Sequence, residues 1–388
     1  MKNVLILGST GSIGKSTLEV IDNNDNFNVV SLVAKNQKDL LLEQAYKFNA
    51  SNVYLSNESF SSAEQSKHLN LNLFKDLDAL IDVKDIEIVV AAISGLIGVD
   101  SILKAIQAGK KILIANKEPI VVAGKILMSE AKKSGAEIIP IDSEHCAIHQ
   151  CLSKLEKKDI KSITLTCSGG PFWGQSRNDL DKISYKEAKK HPVWNMGEKN
   201  LIDSATLMNK ALEIIEARWL FDINPEKIKV LIHPQSIIHG IVENIDGSSL
   251  ASMSAPDMKI CIAYGLGYPD KIDSSAKFLN LLEQEKLEFF DPKDTDFPSL
   301  EFAYRSLEGD DTIPAAMNAA NEIAVSYFLN NKVKFNSIFD SVDYTMDIFE
   351  GRPSQYDLNL QDLLEVDKEA KKIACLLYTS PSPRDSFR

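Results

Sequence analysis

The sequence predicts an α/β protein with three parts: an N-terminal doubly wound, Rossmann-like parallel sheet, a central α+β domain and a C-terminal helical domain. Three observations carry that expectation. Through residues 1–150, short apolar strands alternate with amphipathic helical segments, the βα rhythm of a parallel sheet. Beyond 150 the rhythm gives way to longer strands, a long polar stretch and one strongly amphipathic helix. From Leu300 the pattern is helical, notably over 312–330 and 358–374. The expected divisions are 1–150, 151–285, a proline-broken linker over 286–300, and 301–375. The Ser-Pro-Ser-Pro run after Leu377 cannot continue a helix, so 376–388 is expected to be a disordered or foreign tail.

The chain has 388 residues and a formal net charge of -12, which argues against a general nucleic-acid or anionic-membrane surface. A local cationic pocket remains compatible with it. Five cysteines form no C-x-x-C pair, so free thiols in a reducing compartment are expected. A core strand entered by Val4 leaves no room for a signal or transit peptide, and no apolar run reaches a membrane span. The expectation is a soluble, cytoplasmic protein.

Residues 3–7 form a continuous apolar strand, followed by Gly8-Ser-Thr-Gly11-Ser-Ile-Gly14 and a helix through Ile21. A strand, a glycine turn and a helix N-terminus together suit a pyrophosphate, because backbone N–H groups point at the anion. The spacing is G-x-x-G-x-x-G rather than the commoner G-x-G-x-x-G, and an ordinary βα turn is the alternative. The second strand, 29–34, ends without the acidic residue that holds the ribose 2′-hydroxyl of NAD. Lys35-Asn36-Gln37 follows instead, which favours the 2′-phosphate of NADP(H).

Strands at 52–55, 87–93 and 111–115, with helices near 38–48 and 98–108, continue the alternation. Ser94-Gly95 and Asn116-Lys117-Glu118 stand at strand ends, the edge where such sheets bind ligands. The strand 136–141 runs into Asp142-Ser143-Glu144-His145. In extended backbone, Asp142 and Glu144 would project to one side, where two hard oxygen ligands suit Mg²⁺ or Mn²⁺. The same residues also make a good helix start.

Residues 160–167 form a strand ending in Ser168-Gly-Gly-Pro-Phe-Trp-Gly174, and a long polar stretch leads to His191-Pro-Val-Trp194. Glycines at one end and His191 and Trp194 at the other suggest a mobile lid over about 169–200. Trp194 could equally be a core anchor. Residues 203–220 read as one amphipathic helix with Ser204 as N-cap. Met208, Ala211, Leu212, Ile215 and Trp219 form its buried stripe, and Asn209, Lys210 and Glu213 share another face. A surface helix with a Lys210/Glu213 pair is the plain alternative. The strands from 229 to Met253 are expected to form an antiparallel sheet, with His233 and His239 structural rather than metal-binding.

Taken together, Gly8–Gly14, Asn116-Lys-Glu118, Asp142-Ser-Glu-His145, Ser168-Gly-Gly-Pro-Phe172, His191-Pro-Val-Trp194, Asp203-Ser-Ala-Thr-Leu-Met-Asn-Lys210, Glu213–Trp219, Leu231-Ile-His-Pro-Gln-Ser236, Ala255-Pro-Asp-Met258 and Asn318-Ala-Ala-Asn-Glu322 resemble the 1-deoxy-D-xylulose 5-phosphate reductoisomerase family, in order and up to about residue 375. The resemblance implies conversion of 1-deoxy-D-xylulose 5-phosphate and NADPH to 2-C-methyl-D-erythritol 4-phosphate in non-mevalonate isoprenoid synthesis, with a divalent metal, Mg²⁺ or Mn²⁺, in a homodimer. It implies NADPH contacts at Thr10, Gly11, Ser12, Ile13, Asn116, Glu118 and Gly197. Asp142, Glu144 and Glu213 would be the metal ligands, and Lys117, Ser143 and Glu144 would meet the reacting end of the substrate. Ser168, His191, Ser204, Asn209 and Lys210 would hold its phosphate and hydroxyls, with Trp194 and Glu213 also lining the site. Catalysis would fall to Lys117, Asp142, Glu144, Glu213 and His191. The loop Lys35, Asn36, Gln37 departs from the family pattern. A different NADP-dependent dehydrogenase would need no three-carboxylate site. A silent NADP(H)-binding regulator would be expected to have lost Lys117, Asp142, Glu144 or Glu213, and all four are present.

Overall fold

A computed structural model describes all residues except 58–59, 62–66, 68–69, 154, 191–192, 195–196, 295 and 380–388. The chain forms two compact units: residues 1–119, 127–153 and 253–280 make the first, and residues 120–126, 154–252 and 281–388 the second.

The first unit is built on seven parallel strands: β1 (Lys2–Leu7), β2 (Phe27–Ala34), β3 (Asn52–Leu55), β4 (Asn72–Phe74), β5 (Ile88–Ala91), β6 (Lys111–Ile114) and β7 (Ile138–Pro140). Their order is β4-β3-β2-β1-β5-β6-β7. Val4, Leu5, Ile6, Val89, Val90, Ile112 and Leu113 are all buried, as both faces of a doubly wound sheet require. The order reverses direction between β1 and β5, which places a crevice at their carboxyl ends. Helix Met258–Gly267 is apolar on every side and packs against helix Ser12–Asp22, β6 and β7. Gly265 lets it approach that closely: a Cβ there would lie 2.1 Å from Leu113 and 2.8 Å from Ile141.

The second unit holds a four-stranded sheet of β8 (Ile160–Cys167), β9 (Ile228–Ile232), β10 (Ile238–Asn244) and β11 (Ser249–Met253), in the order β11-β10-β8-β9. β8 pairs antiparallel with β10 but parallel with β9, so the sheet is mixed and not antiparallel as the sequence suggested. The intervening helices supply the crossover that a parallel pair needs. Helix Met208–Phe221 lies on β8 and β9 and against helix Ser299–Glu308. Helices Ile313–Leu329, Ser337–Glu350 and Leu360–Thr379 complete the unit. The last of these runs past Leu377, correcting the expected end. Tyr378 donates its hydroxyl to the Ser337 carbonyl at 2.8 Å and stacks on Tyr327.

Two further expectations fail locally. Residues 203–220 are not one helix: helix Glu198–Ala205 ends, Leu207 adopts a left-handed φ of 60°, and a new helix starts at Met208. Ser204 therefore sits in a last turn and is not an N-cap. Likewise Asp142 and Glu144 do not lie on one extended strand. Asp142 caps helix Ser143–Leu152, and Glu144 stands in its first turn.

Candidate functional site

In the first unit, β1 delivers the chain into the glycine turn at the crevice. Gly8 has φ +89°, and a Cβ there would meet the Ala92 carbonyl oxygen at 2.6 Å. At Gly14 a Cβ would lie 2.4 Å from the Gly8 carbonyl oxygen and 2.5 Å from Ser9 Cα. Both positions admit only glycine, for close packing of strand, turn and helix. Gly11 caps helix Ser12–Asp22 without a side-chain hydrogen bond, leaving its helix end to the backbone. Thr10 is buried, while Gly11 and Ser12 are exposed and Ile13 is half-buried. This fits an anion such as a dinucleotide pyrophosphate. Lys35, Asn36 and Gln37 are exposed at the end of β2.

At the end of β6, Asn116 is buried and donates to the carbonyls of Ile93 at 2.5 Å and Gly95 at 2.6 Å. Its amide thereby fixes the loop after β5 beside the glycine turn. Lys117 forms an ion pair with Asp142, and Glu118 begins the next helix, buried. Asp142 Oδ1 also lies 3.1 Å from His145 Nδ1. Burial alone would raise the Asp142 carboxyl. Lys117 and His145 outweigh it and hold the group well below the usual carboxylate range. Ser143 donates its hydroxyl to Glu144 at 2.5 Å. His145, to which the sequence pattern assigns no role, thus helps Lys117 to orient Asp142. The i, i+3 spacing across a helix start was the available signal.

In the second unit, Glu213 is wholly buried on helix Met208–Phe221. It is ion-paired with Lys210 and accepts a hydrogen bond from Asn209 Nδ2. Lys210, only 2% exposed, also donates to the Thr166 carbonyl at 2.6 Å. The plain reading of a surface ion pair is thereby excluded. Burying two charges is costly unless each is paired and bonded, and here both are. Ser168 follows β8, and its hydroxyl accepts from Gly170 N at 3.2 Å. A Cβ on Gly170 would lie 2.7 Å from the Ser204 carbonyl oxygen, so the glycine turn and Ser204 are in contact. Trp194 is half-buried with its ring 6.2 Å from His239, and Gly197 caps helix Glu198–Ala205. His191 lies outside the described residues. His233 is buried, with Nδ1 2.8 Å from the Glu288 carbonyl and its ring stacked on Phe289.

The candidate metal ligands are carboxylates, and hard oxygen donors suit Mg²⁺ and Mn²⁺. Asp142 is held ionised by its neighbours, which matches what a ligand to such an ion requires.

A parallel sheet with a glycine-only turn at its switch point defines a dinucleotide-binding enzyme of the Rossmann type, here extended by a second unit carrying a buried lysine and carboxylate. Models of the 1-deoxy-D-xylulose 5-phosphate reductoisomerase match residues 4–124, and models of its C-terminal domains match residues 138–221 and 253–373. The 1-deoxy-D-xylulose 5-phosphate reductoisomerase of Thermoanaerobacter pseudethanolicus is 44% identical over 382 residues, 96% of this chain and 98% of that one. That of Geotalea uraniireducens is 45% identical over 90% of this chain and 92% of its own length. Among solved structures, a DOX-P reductoisomerase in complex with NADPH, fosmidomycin and magnesium is similar, with a TM-score of 0.90 at 37% identity, covering 98% of this chain and 100% of that one. The Zymomonas mobilis enzyme in complex with NADPH gives 0.89 at 36%, covering 98% and 99%. The chain belongs to the 1-deoxy-D-xylulose 5-phosphate reductoisomerase family.

Proposed function

We infer that this protein rearranges 1-deoxy-D-xylulose 5-phosphate and reduces the product with NADPH, giving 2-C-methyl-D-erythritol 4-phosphate in non-mevalonate isoprenoid synthesis. It is an NADP-dependent reductoisomerase that requires a divalent metal. The observation that carries this is the 44% identity maintained over 96% of the chain. The titratable residues the chemistry needs, Lys117, Asp142, Glu144, Lys210 and Glu213, are all present.

In our reading, Asp142, Glu144 and Glu213 hold one Mg²⁺ or Mn²⁺ ion. When bound, that ion supplies a Lewis acid and template for the substrate's carbonyl and hydroxyl oxygens. Lys117, beside Asp142, and Ser143, bonded to Glu144, orient the reacting end. Ser168, Ser204, Asn209 and Lys210 receive the phosphate, with His191 and Trp194 closing over it from the lid at 169–200. Lys210 contributes a point charge, while the hydroxyls and the amide give directional bonds. Because the phosphate is remote from the bonds that change, its binding energy serves closure and orientation. Thr10 to Ile13, Asn116, Glu118 and Gly197 take NADPH, and Lys35, Asn36 and Gln37 take its 2′-phosphate. In this reading residues 1–150 form the NADPH-binding domain and also supply Lys117, Asp142, Ser143 and Glu144 to the reaction, 151–285 form the catalytic domain and lend Gly197 to the cofactor, and 301–375 form the helical domain beyond the 286–300 linker.

We further propose a cytoplasmic homodimer. β11 is an edge strand, exposed along most of its length with Leu250 and Met253 showing, and a second copy pairing there would cover it. No described helix is long and apolar enough to cross a membrane, and the cysteines are free thiols. Following the loss of NADPH absorbance with substrate and Mg²⁺ or Mn²⁺ tests the activity. Absence of substrate-dependent oxidation would overturn it. Sedimentation at micromolar concentration tests the dimer.

A further inference from the structure

We propose that Asn321, in helix Ile313–Leu329, is a positioning residue for the substrate's phosphate site and acts on it through Asp203. The proposal rests on the reading above that Ser204, Asn209 and Lys210 bind the phosphate. It gives a role to the Asn318-Ala-Ala-Asn-Glu322 motif, which the reaction chemistry does not otherwise use.

Asn321 Nδ2 donates to Asp203 Oδ1 at 2.8 Å, across 118 residues of sequence. Both residues are buried, Asn321 at 0% and Asp203 at 1% exposure. Lys199, one turn earlier on Asp203's own helix, forms an ion pair with Asp203 Oδ2 at 2.8 Å. A carboxylate taken out of water needs partners of this kind, and the bond to Asn321 ties it to a distant helix.

Asp203 immediately precedes Ser204, and the chain leaves its helix two residues later. The break is held from the other side as well. Ser299 Oγ donates to the Thr206 carbonyl at 2.6 Å, and Thr206 Oγ1 donates back to the carbonyls of Ile202 and Asp203. Leu207 then takes φ 60°, which costs a leucine energy and persists only where the surroundings dictate it. On an unbroken helix, Ser204 and Asn209 would be five residues and about 500° apart, pointing roughly 140° from one another. The break is what lets the two be redirected. Asn321 fixes the last turn before it, and Ser299 the first residue after it.

Asn321 is wholly buried and bonded to Asp203, so its effect is expected in the phosphate site and not in the cofactor site. The test measures kcat, KM for substrate and for NADPH, and inhibition by inorganic phosphate in Asn321→Ala, Asn321→Asp and the exchange Asp203→Asn/Asn321→Asp. The expected result for Asn321→Ala is a substrate KM raised about tenfold, the loss of one modest charge-assisted contact. Inorganic phosphate inhibition weakens in parallel, and the NADPH KM stays unchanged. Asn321→Asp, which faces one carboxylate with another, raises the substrate KM further, and the exchange variant recovers part of the loss, because this bond is again matched while Lys199 loses its carboxylate partner. Should Asn321→Ala fail to fold, Asn321→Gln, which keeps the amide one methylene further out, carries the same readout. A lowered melting temperature with wild-type substrate KM and phosphate inhibition would overturn the proposal. Ser204→Ala and Lys210→Ala are run beside these. If they too leave both constants unchanged, the phosphate reading itself falls. If they raise KM and Asn321→Ala does not, only the role of Asn321 falls.

Discussion

Lys210 and Glu213 stand one helical turn apart and form an ion pair from which water is excluded, with the lysine 2% and the glutamate 0% exposed. An exposed pair at this spacing contributes about 0.3–0.5 kcal/mol. A buried pair that loses one partner leaves an uncompensated charge, costing about 3–5 kcal/mol. Lys210→Ala is therefore expected to lower the melting temperature, lower kcat and raise the substrate KM together. Wild-type kinetics would return the pair to a purely structural part.

Asp142 accepts from Lys117 and lies against His145, an arrangement that keeps it ionised. Asp142→Asn keeps the size and removes the charge. Calorimetric titration with Mn²⁺ should show weakened binding and assays should show no turnover, while circular dichroism stays that of the wild type. Unchanged metal affinity would remove Asp142 from the ligand set.

Gly14 leaves no room for a side chain beneath the Gly8 carbonyl. Gly14→Ala should cost about 1–3 kcal/mol in stability, the usual range for overpacking. It should also raise the NADPH KM while sparing metal binding. A variant that binds NADPH normally would show that the turn does not cradle the cofactor.

Lys35 is exposed after β2, whose end carries no acidic residue. One charge-assisted bond to a 2′-phosphate, about 1.5–3 kcal/mol, corresponds to a preference for NADPH over NADH on the order of ten- to hundredfold. Lys35→Glu should narrow that ratio in kcat/KM. No change in the ratio would place the 2′-phosphate elsewhere.

His149 contacts the Tyr264 hydroxyl at 2.6 Å, and its pKa is lowered to about 4, by burial first and by Lys111 second. An unfolded histidine titrates near pH 6.5. The unfolded chain therefore takes up this proton first as pH falls. Stability is full above about pH 6.5 and is lost progressively down to about 4, amounting to no more than roughly 3 kcal/mol. Urea titrations of the wild type and His149→Gln should diverge in pH slope across that window. Parallel slopes would show that another group governs it.

The parallel sheet was legible because β1, β5 and β6 are buried on both faces and so read as unbroken apolar runs. The same physics hid the helix break. Ala205, Leu207 and Met208 are apolar and buried, so hydrophobic periodicity runs through Leu207 without interruption. The long-range bonds on either side of the break come from Ser299 and Asn321, about a hundred residues away. Strand direction in the second sheet was hidden for a related reason. Alternation along β9 tells which face is buried and not whether the neighbour runs parallel. The residue types of the candidate site were all legible. The partners that tune them, His145 for Asp142 and the Thr166 carbonyl for Lys210, are set by tertiary placement.

The glycines after β8 divide into a fixed part and a free part. Gly169 and Gly170 are wedged against Ile232, Trp173 and the Ser204 backbone, whereas Gly174, at φ +81°, has nothing within 4 Å of where a Cβ would stand. A rotation of the segment beyond can thus be taken up at Gly174 without moving Ser168. In mechanical terms the anchor and the pivot are separate. On the reading proposed above, Ser168 would keep its hold on the phosphate while the segment beyond Gly174 turned.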